Sequence, residues 1–220
     1  MKRSGLSLWW NECEMSIKEI VLDLGTYPIP AKIDRFLQEA DKRCDAFFAS
    51  NGHARIPRYI PGDAAILYAA MAKVIEFDLH LGRVYCEWGS GIGIGACLAA
   101  FLGLQAYGIE IEPELVDIAQ TLAADFNLDV QFVCGSYFPD GLEAYAAQGG
   151  DVLMEPLHSL ANWAYAGMDA TLDEVDIFHV YPWPHEQEMM LSLFDAVAVE
   201  GAVLIAYYGE GEMCVYRRVG

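Results

Sequence analysis

The chain has 220 residues, 55% of them hydrophobic, and its 32 acidic residues outnumber 13 basic ones for a formal net charge of −19 at pH 7. That length and apolar content suit one packed unit and exclude a disordered chain, and the longest apolar stretch, residues 91–108, is broken by glycines and Gln105, unlike a membrane span. Lys2 and Arg3 are followed by Asn11, Glu12 and Glu14 instead of an unbroken apolar segment, so no export signal is read and a cytoplasmic location is expected.

Ser16 and Glu19 have the spacing of a capping box, and Ile17, Ile20, Val21 and Leu24 share one helical face ahead of Gly25, which predicts a first short helix. Residues 31–50 predict a second, with Ile33, Phe36, Leu37, Ala40, Cys44 and Phe47 on one stripe and Asn51-Gly52 as its stop. A loop, residues 55–62, leads into a third helix that Asp63 can cap. Residues 1–79 are therefore expected to form a helical cap packed on a core of residues 80–220. Tyr59, in the loop, reads as a packing aromatic.

Residues 83–93 read as a short apolar strand ending in an acid, Glu87, and a turn with glycines at 89, 91 and 93. A helix-forming apolar stretch, 94–104, and a second apolar strand, 105–110, which ends in Glu110, complete a βαβ unit. Glycines at such a turn let the backbone approach a ligand, and the second acid can hold ribose hydroxyls. The dinucleotide spacing Gly-x-Gly-x-x-Gly fails from Gly89, because Ile94 stands at its last position. Its Gly/Ala form is met from Gly91 through Gly93 and Ala96, with Glu110 near the expected distance. Glu87 weighs against that reading, since a dinucleotide fold has no use for an acid there, whereas a carboxylate suits a cationic amino-acid moiety.

An acid, any residue, then Gly-x-Gly-x-Gly, here Glu87, Gly89, Gly91 and Gly93, resembles motif I of the class I S-adenosylmethionine-dependent methyltransferases. Downstream, residues 110–114 resemble the acidic end of that family's second strand running into a helix, and residues 130–136 its third strand. The resemblance covers about residues 84–208. It implies a Rossmann-like, doubly wound, mostly parallel sheet, S-adenosyl-L-methionine as cofactor, and methyl transfer by in-line displacement. It further implies that Glu87 reaches the amino group of the methionine part, that Gly89 and Gly91 pass beneath the cofactor, and that Glu110 holds both ribose hydroxyls. Ile111 would pack on the adenine, and Ser136 with the Tyr137 backbone would meet the adenine edge, where members more often carry Asp. In the family the region of Tyr59 and Asp63 covers the cofactor. Gly89-Ser90-Gly91 with residues 107–110 also looks like pieces of the non-SET histone lysine methyltransferases, which sets a basic protein beside a small molecule as the conceivable substrate.

No Lys or Arg occurs between Arg83 and Arg217, an interval holding 21 Asp and Glu. Such a negative body repels phosphate backbones, which argues against a nucleic-acid partner; it favours a cationic one, or serves solubility only. Six cysteines, at 13, 44, 86, 97, 134 and 214, show no Cys-x-x-Cys pairing and read as reduced core thiols, not metal ligands.

Residues 138–174 contain Pro139-Asp140-Gly141, Gly149-Gly150 and a short helix near 160–165. Residues 175–181 predict the fourth strand of the core, followed by Pro182, Trp183, Pro184 and His185, a helix over 186–199, a fifth strand over 201–208 and a closing strand over 213–219. Strands alternating with helices predict a parallel sheet covered on both faces, and the closing hairpin an antiparallel edge. The resembling family usually adds a helix and strand after the fifth strand; without them the sheet is expected to be shortened at its C-terminal end. Ligands in such sheets bind beyond the carboxyl ends of the strands, so Tyr181 and Trp183 are the expected substrate wall and His185 the candidate catalytic base. His179, inside the strand, reads as a core histidine. Methyltransferases of exocyclic amines carry a polar residue where Tyr181 stands, so adenine methylation is not implied. Two other readings stay open: an NAD(P)-dependent oxidoreductase using the Gly91 variant, and a non-catalytic cofactor-binding regulatory module.

Overall fold

The βαβ unit read from the glycine-rich segment is the centre of the sheet. In the computed structural model, which describes residues 16–25, 27–139, 141–142 and 164–220, strand β1 is Ile17–Ile20, and helices α1, Ala31–Ala49, α2, Gly52–Arg55, and α3, Ala64–Glu76, follow. Then come β2, Val84–Trp88, α4, Ile94–Phe101, β3, Gln105–Glu110, α5, Pro113–Asp125, and β4, Val130–Cys134. The chain closes with β5, Ile177–Val180, α6, Gln187–Val197, β6, Val203–Gly209, and β7, Glu212–Arg218. Local chemistry sets several boundaries. Asp63 accepts hydrogen bonds from the backbone N–H groups of Ala65 and Ile66 and so caps α3, Asn51 ends α1 in the left-handed region, and Pro113 opens α5.

The seven strands lie in the order β1-β7-β6-β5-β2-β3-β4. The pairs among β2, β3, β4, β5 and β6 are parallel, and β7 runs antiparallel to β6. Residues alternate between two apolar layers. Tyr85, Ile177, Val203 and Ile205 face a core shared with α1, α3 and α4. Cys86, Trp88, Phe178 and Leu204 face a second, shared with α6 and the segment around Met168. Burial on both faces is why these strands read as continuous apolar runs. The doubly wound sheet with an antiparallel edge hairpin is the expected architecture.

The amino-terminal segment differs from expectation. Residues 17–20 form a strand, not a helix, with Ile17, Lys18, Glu19 and Ile20 opposite Arg218, Arg217, Tyr216 and Val215. A helix of two turns is marginal by itself, the β-branched residues favour extended backbone, and the outer edge of β7 offers unpaired backbone groups that β1 satisfies. Being antiparallel to β7, it runs in the direction of the central strands, so the sheet gains at this edge a strand from the start of the chain. Ser16 is tied in too, its N–H donated to Asp195 and its carbonyl accepting from Val219.

Of the turns and helix expected within residues 138–174, Asp140, Gly149, Gly150 and residues 160–163 lie outside the described residues; two short 3-10 turns, Tyr165–Gly167 and Leu172–Glu174, follow them. Among the described residues no helix is long and apolar enough to cross a membrane. The described cysteines are free, with Cys44, Cys86 and Cys97 buried as expected, while Cys134 is exposed and Cys214 half-buried. Burial pushes the Cys97 thiol up to about 12.

Candidate functional site

From β2 the chain proceeds outward through β3 to β4, and from β5 in the opposite direction to β6. The strand order thus reverses between β2 and β5, and open α/β sheets form their ligand crevice at the carboxyl ends of such strands. A cavity of about 260 Å³ lies there, bordered by the glycine-rich turn, the ends of β3, β4 and β5, and the loop before α3.

Glu110, the last residue of β3, forms one wall. Its Oε2 accepts the Gly91 N–H at 2.8 Å and its Oε1 the Glu112 N–H at 2.9 Å. The first bond couples the end of β3 to the turn after β2, and the second fixes the carboxylate on its own segment. Burial pushes the Glu110 pKa above the ordinary carboxylate range, opposed by backbone N–H donors of Glu112, Gly91 and Ile111.

The turn itself is shaped by positive φ at Gly89 and Gly91, 70° and 54°. A Cβ at 89 would meet nothing within 4 Å, so the backbone there borders open cleft. A Cβ at 91 would lie 2.6 Å from the Tyr59 ring. Tyr59, read from sequence chiefly as a packing aromatic in a region that covers the cofactor in the resembling family, packs against Phe47, shares a 3.2 Å hydrogen bond with Cys44 and also lines the cleft. Gly93 is placed differently from the other two. It caps α4 and a Cβ there would strike Phe132 and Ala119, so it packs against β4 and α5, away from the cleft wall.

Glu87 ends up beside His179, which is not an isolated core histidine. Nδ1 of His179 stands 3.0 Å from Oε1 of Glu87, and Oε2 of Glu87 accepts the Ala96 N–H at 2.9 Å. Both side chains are buried and border the cleft.

Ile111, Ser136 and Tyr137 complete the side beyond β3 and β4. The Ser136 hydroxyl oxygen accepts the Phe138 N–H at 3.1 Å, and the Tyr137 ring stacks on Trp88 with centroids 5.9 Å apart. On the opposite side, Tyr181 and Trp183 line the cleft, Tyr181 with its ring 4.7 Å from that of Tyr207. His185 is turned outward, its side chain 55% exposed and outside the cleft lining.

Sequence reasoning missed one pair entirely. Glu186, 3% exposed, receives the Trp183 N–H at 3.1 Å on Oε2 and pairs through Oε1 with the guanidinium of Arg58. The pair ties the loop before α3 to the loop after β5 across the cleft. The one signal available was an acid three residues after Trp183, the spacing at which a side chain can turn back to a backbone N–H. Among the described residues the lining carries five carboxylates, Asp63, Glu87, Glu110, Glu112 and Glu186, against the one guanidinium of Arg58.

The chain matches no protein-family model and no curated protein. Among solved structures, it is similar to an RNA methyltransferase from Salinibacter ruber in complex with S-adenosyl-L-homocysteine, at 18% identity and a TM-score of 0.49, over 73% of this chain and 94% of that one. An O-methyltransferase from Bacillus cereus in complex with SAH is similar at 15% identity and a TM-score of 0.47, over 81% and 66%. An S-adenosylmethionine-dependent methyltransferase from Clostridium acetobutylicum is similar at 11% identity and a TM-score of 0.45, over 74% of this chain and only 56% of its own length. At these identities the activities named are those of the similar proteins and not of this chain.

Proposed function

We propose that this chain is a class I S-adenosylmethionine-dependent methyltransferase acting on a small-molecule or basic protein acceptor. The observation that carries the reading is the placement of Glu110. An acid at the end of the second strand of a βαβ unit, bonded through its own carboxylate to the glycine-rich turn, suits a nucleoside ribose at the switch point of a doubly wound sheet. The fit extends around the cleft. Open space above Gly89 admits a ligand close to the backbone, the Glu87 carboxylate suits an amino group, and Ile111 with the Ser136 and Tyr137 segment offers an apolar wall with a polar edge for a purine. An excess of carboxylates in the lining favours a cationic sulfonium over a pyrophosphate.

When bound, S-adenosyl-L-methionine supplies an electrophilic methyl group that a nucleophilic N, O, S or C atom of the acceptor takes by in-line displacement. The work of the chain's own residues is then alignment and exclusion of water. Glu87 and Glu110 fix the two ends of the ligand, Tyr59 and Arg58 close the side formed by the loop before α3, and Tyr181 and Trp183 form the wall on which an acceptor rests. His185 stands outside the cleft lining, so in this arrangement the aligned cofactor, and not a base at that position, carries the reactivity.

Isothermal titration with S-adenosylmethionine, S-adenosylhomocysteine and NADPH tests the reading. Binding of the two sulfur ligands without NADPH supports it, and is followed by turnover assays with amines and basic peptides. Binding of NADPH alone, or of none of the three, overturns it.

A further inference from the structure

We infer that His179 is a positioning residue that holds the Glu87 carboxylate in place to receive a primary ammonium group of the ligand; this rests on the assignment of Glu87 proposed above. Glu87 and His179 stand opposite one another in β2 and β5, so the pair spans the two strands between which the chain order reverses. Two donors from separate elements grip the carboxylate, the imidazole Nδ1 at Oε1 and the Ala96 N–H, from the first turn of α4, at Oε2. An ionised carboxylate only accepts hydrogen bonds, so Nδ1 is the donor in this contact. Nε2 is buried without a hydrogen-bond partner among the described residues. Among the described residues the hydrogen-bond partner of this ring is therefore Glu87.

The backbone is shaped around this contact. A Cβ at Gly95 would lie 2.3 Å from Oε1 of Glu87, so glycine at that position is what lets α4 start directly over the carboxylate. A buried acid with such fitted surroundings is a poor source of stability, because desolvation offsets its attractions. Its lone pairs are not exhausted by two donors, however, and it borders the cleft. A carboxylate with spare acceptor capacity, fixed in orientation and facing a cavity, matches a multivalent cationic donor. Freed from His179, the same carboxylate would rotate, and the ammonium would have to order it on binding.

The discriminating probe is 5′-methylthioadenosine, which keeps the nucleoside and thioether of S-adenosylhomocysteine but lacks the amino-acid end. Both ligands are titrated calorimetrically into the full chain and into Glu87→Gln, His179→Leu and His179→Asn. In His179→Leu, S-adenosylhomocysteine weakens by about tenfold or more, the scale of a charge-assisted hydrogen bond, while methylthioadenosine stays within about twofold of its wild-type affinity. His179→Asn, whose amide nitrogen replaces the Nδ1 donor, recovers most of the loss. Equal weakening of both ligands in His179→Leu, or no weakening of either, overturns the proposal. Glu87→Gln separates the two levels: an unchanged affinity for S-adenosylhomocysteine defeats the underlying assignment of Glu87, whereas a loss there with none in His179→Leu defeats the role of His179 alone. If His179→Leu does not fold, His179→Gln, whose amide sits one bond farther out, takes its place with the same outcomes.

Discussion

Replacing Glu110 by Gln separates two duties of one side chain. In the folded protein its two oxygens accept the N–H groups of Gly91 and Glu112. Gln offers a single acceptor oxygen, so its amide nitrogen faces one of those N–H groups donor to donor. Leaving that buried donor without an acceptor costs about 1–3 kcal/mol, and at this chain length each 1 kcal/mol lowers Tm by about 2–4 °C. Ligand binding is weakened as well. Two ribose hydroxyls donated to the carboxylate contribute about 1.5 kcal/mol each, the low end for a charged partner, because the oxygens are shared with backbone donors. Gln keeps one acceptor oxygen, so about half of this is lost, roughly tenfold in Kd for S-adenosylhomocysteine. The pH dependence has a defined sign. Burial raises the folded-state pKa of Glu110, so the folded chain binds this proton more readily than the unfolded one. The stability contributed by the group is complete below the ordinary carboxylate value and is lost as pH rises through the raised folded value. Ligand affinity moves the opposite way, since hydroxyls donate to the ionised form; it falls as pH is lowered through the raised value. Titration calorimetry across this range, with scanning calorimetry of the unliganded protein, measures both. A Gln variant that binds S-adenosylhomocysteine within about twofold of wild type, or that keeps the full wild-type pH dependence, refutes the reasoning.

Gly89→Ala and Gly93→Ala should fail in different assays. The first places its methyl group in open cleft and should weaken S-adenosylhomocysteine by about tenfold or more, at a stability cost of about 1–2 kcal/mol for left-handed backbone. In the second the new Cβ would lie 2.4 Å from Phe132 and 2.9 Å from Ala119; an added overpacking cost of about 1–3 kcal/mol should show mainly as a lower Tm. Deleting residues 1–21 removes β1, with the half-buried Ile17 and Ile20 and their backbone bonds. The loss, about 3 kcal/mol, should lower Tm by about 6–12 °C, and light scattering should report association through the bared edge of β7. Glu186→Gln weakens the ion pair that anchors the loop before α3, and should speed tryptic cleavage after Arg58 several-fold; an unchanged cleavage rate would show that the pair does not hold the loop.

The amino-acid sequence by itself determined the βαβ centre of the sheet and much of the cleft around it. Apolar runs of strand length, glycines at 89 and 91 and acids at both strand ends constrain φ, hydrogen bonding and side-chain chemistry within a few residues of one another, and such local constraints survive whatever the rest of the chain does. The same locality explains why the stripe on α1 and the Asp63 cap were legible. It also explains the misreading of residues 16–20, where a capping box and a helical face were outweighed by the open edge of β7, some two hundred residues away in sequence. Gly93 belongs to the same pattern as Gly89 and Gly91, yet packing against Phe132 removes it from the cleft. His179 read as core and His185 as the candidate base, because sequence gives the strand but not what lies opposite it. Only the tertiary structure decided that His179 meets Glu87 and that Arg58 reaches Glu186. Those pairs are 92 and 128 residues apart, and no periodicity or spacing carries information across that separation; they exist because the sheet brings its strand ends to one edge and closes them around a single cleft.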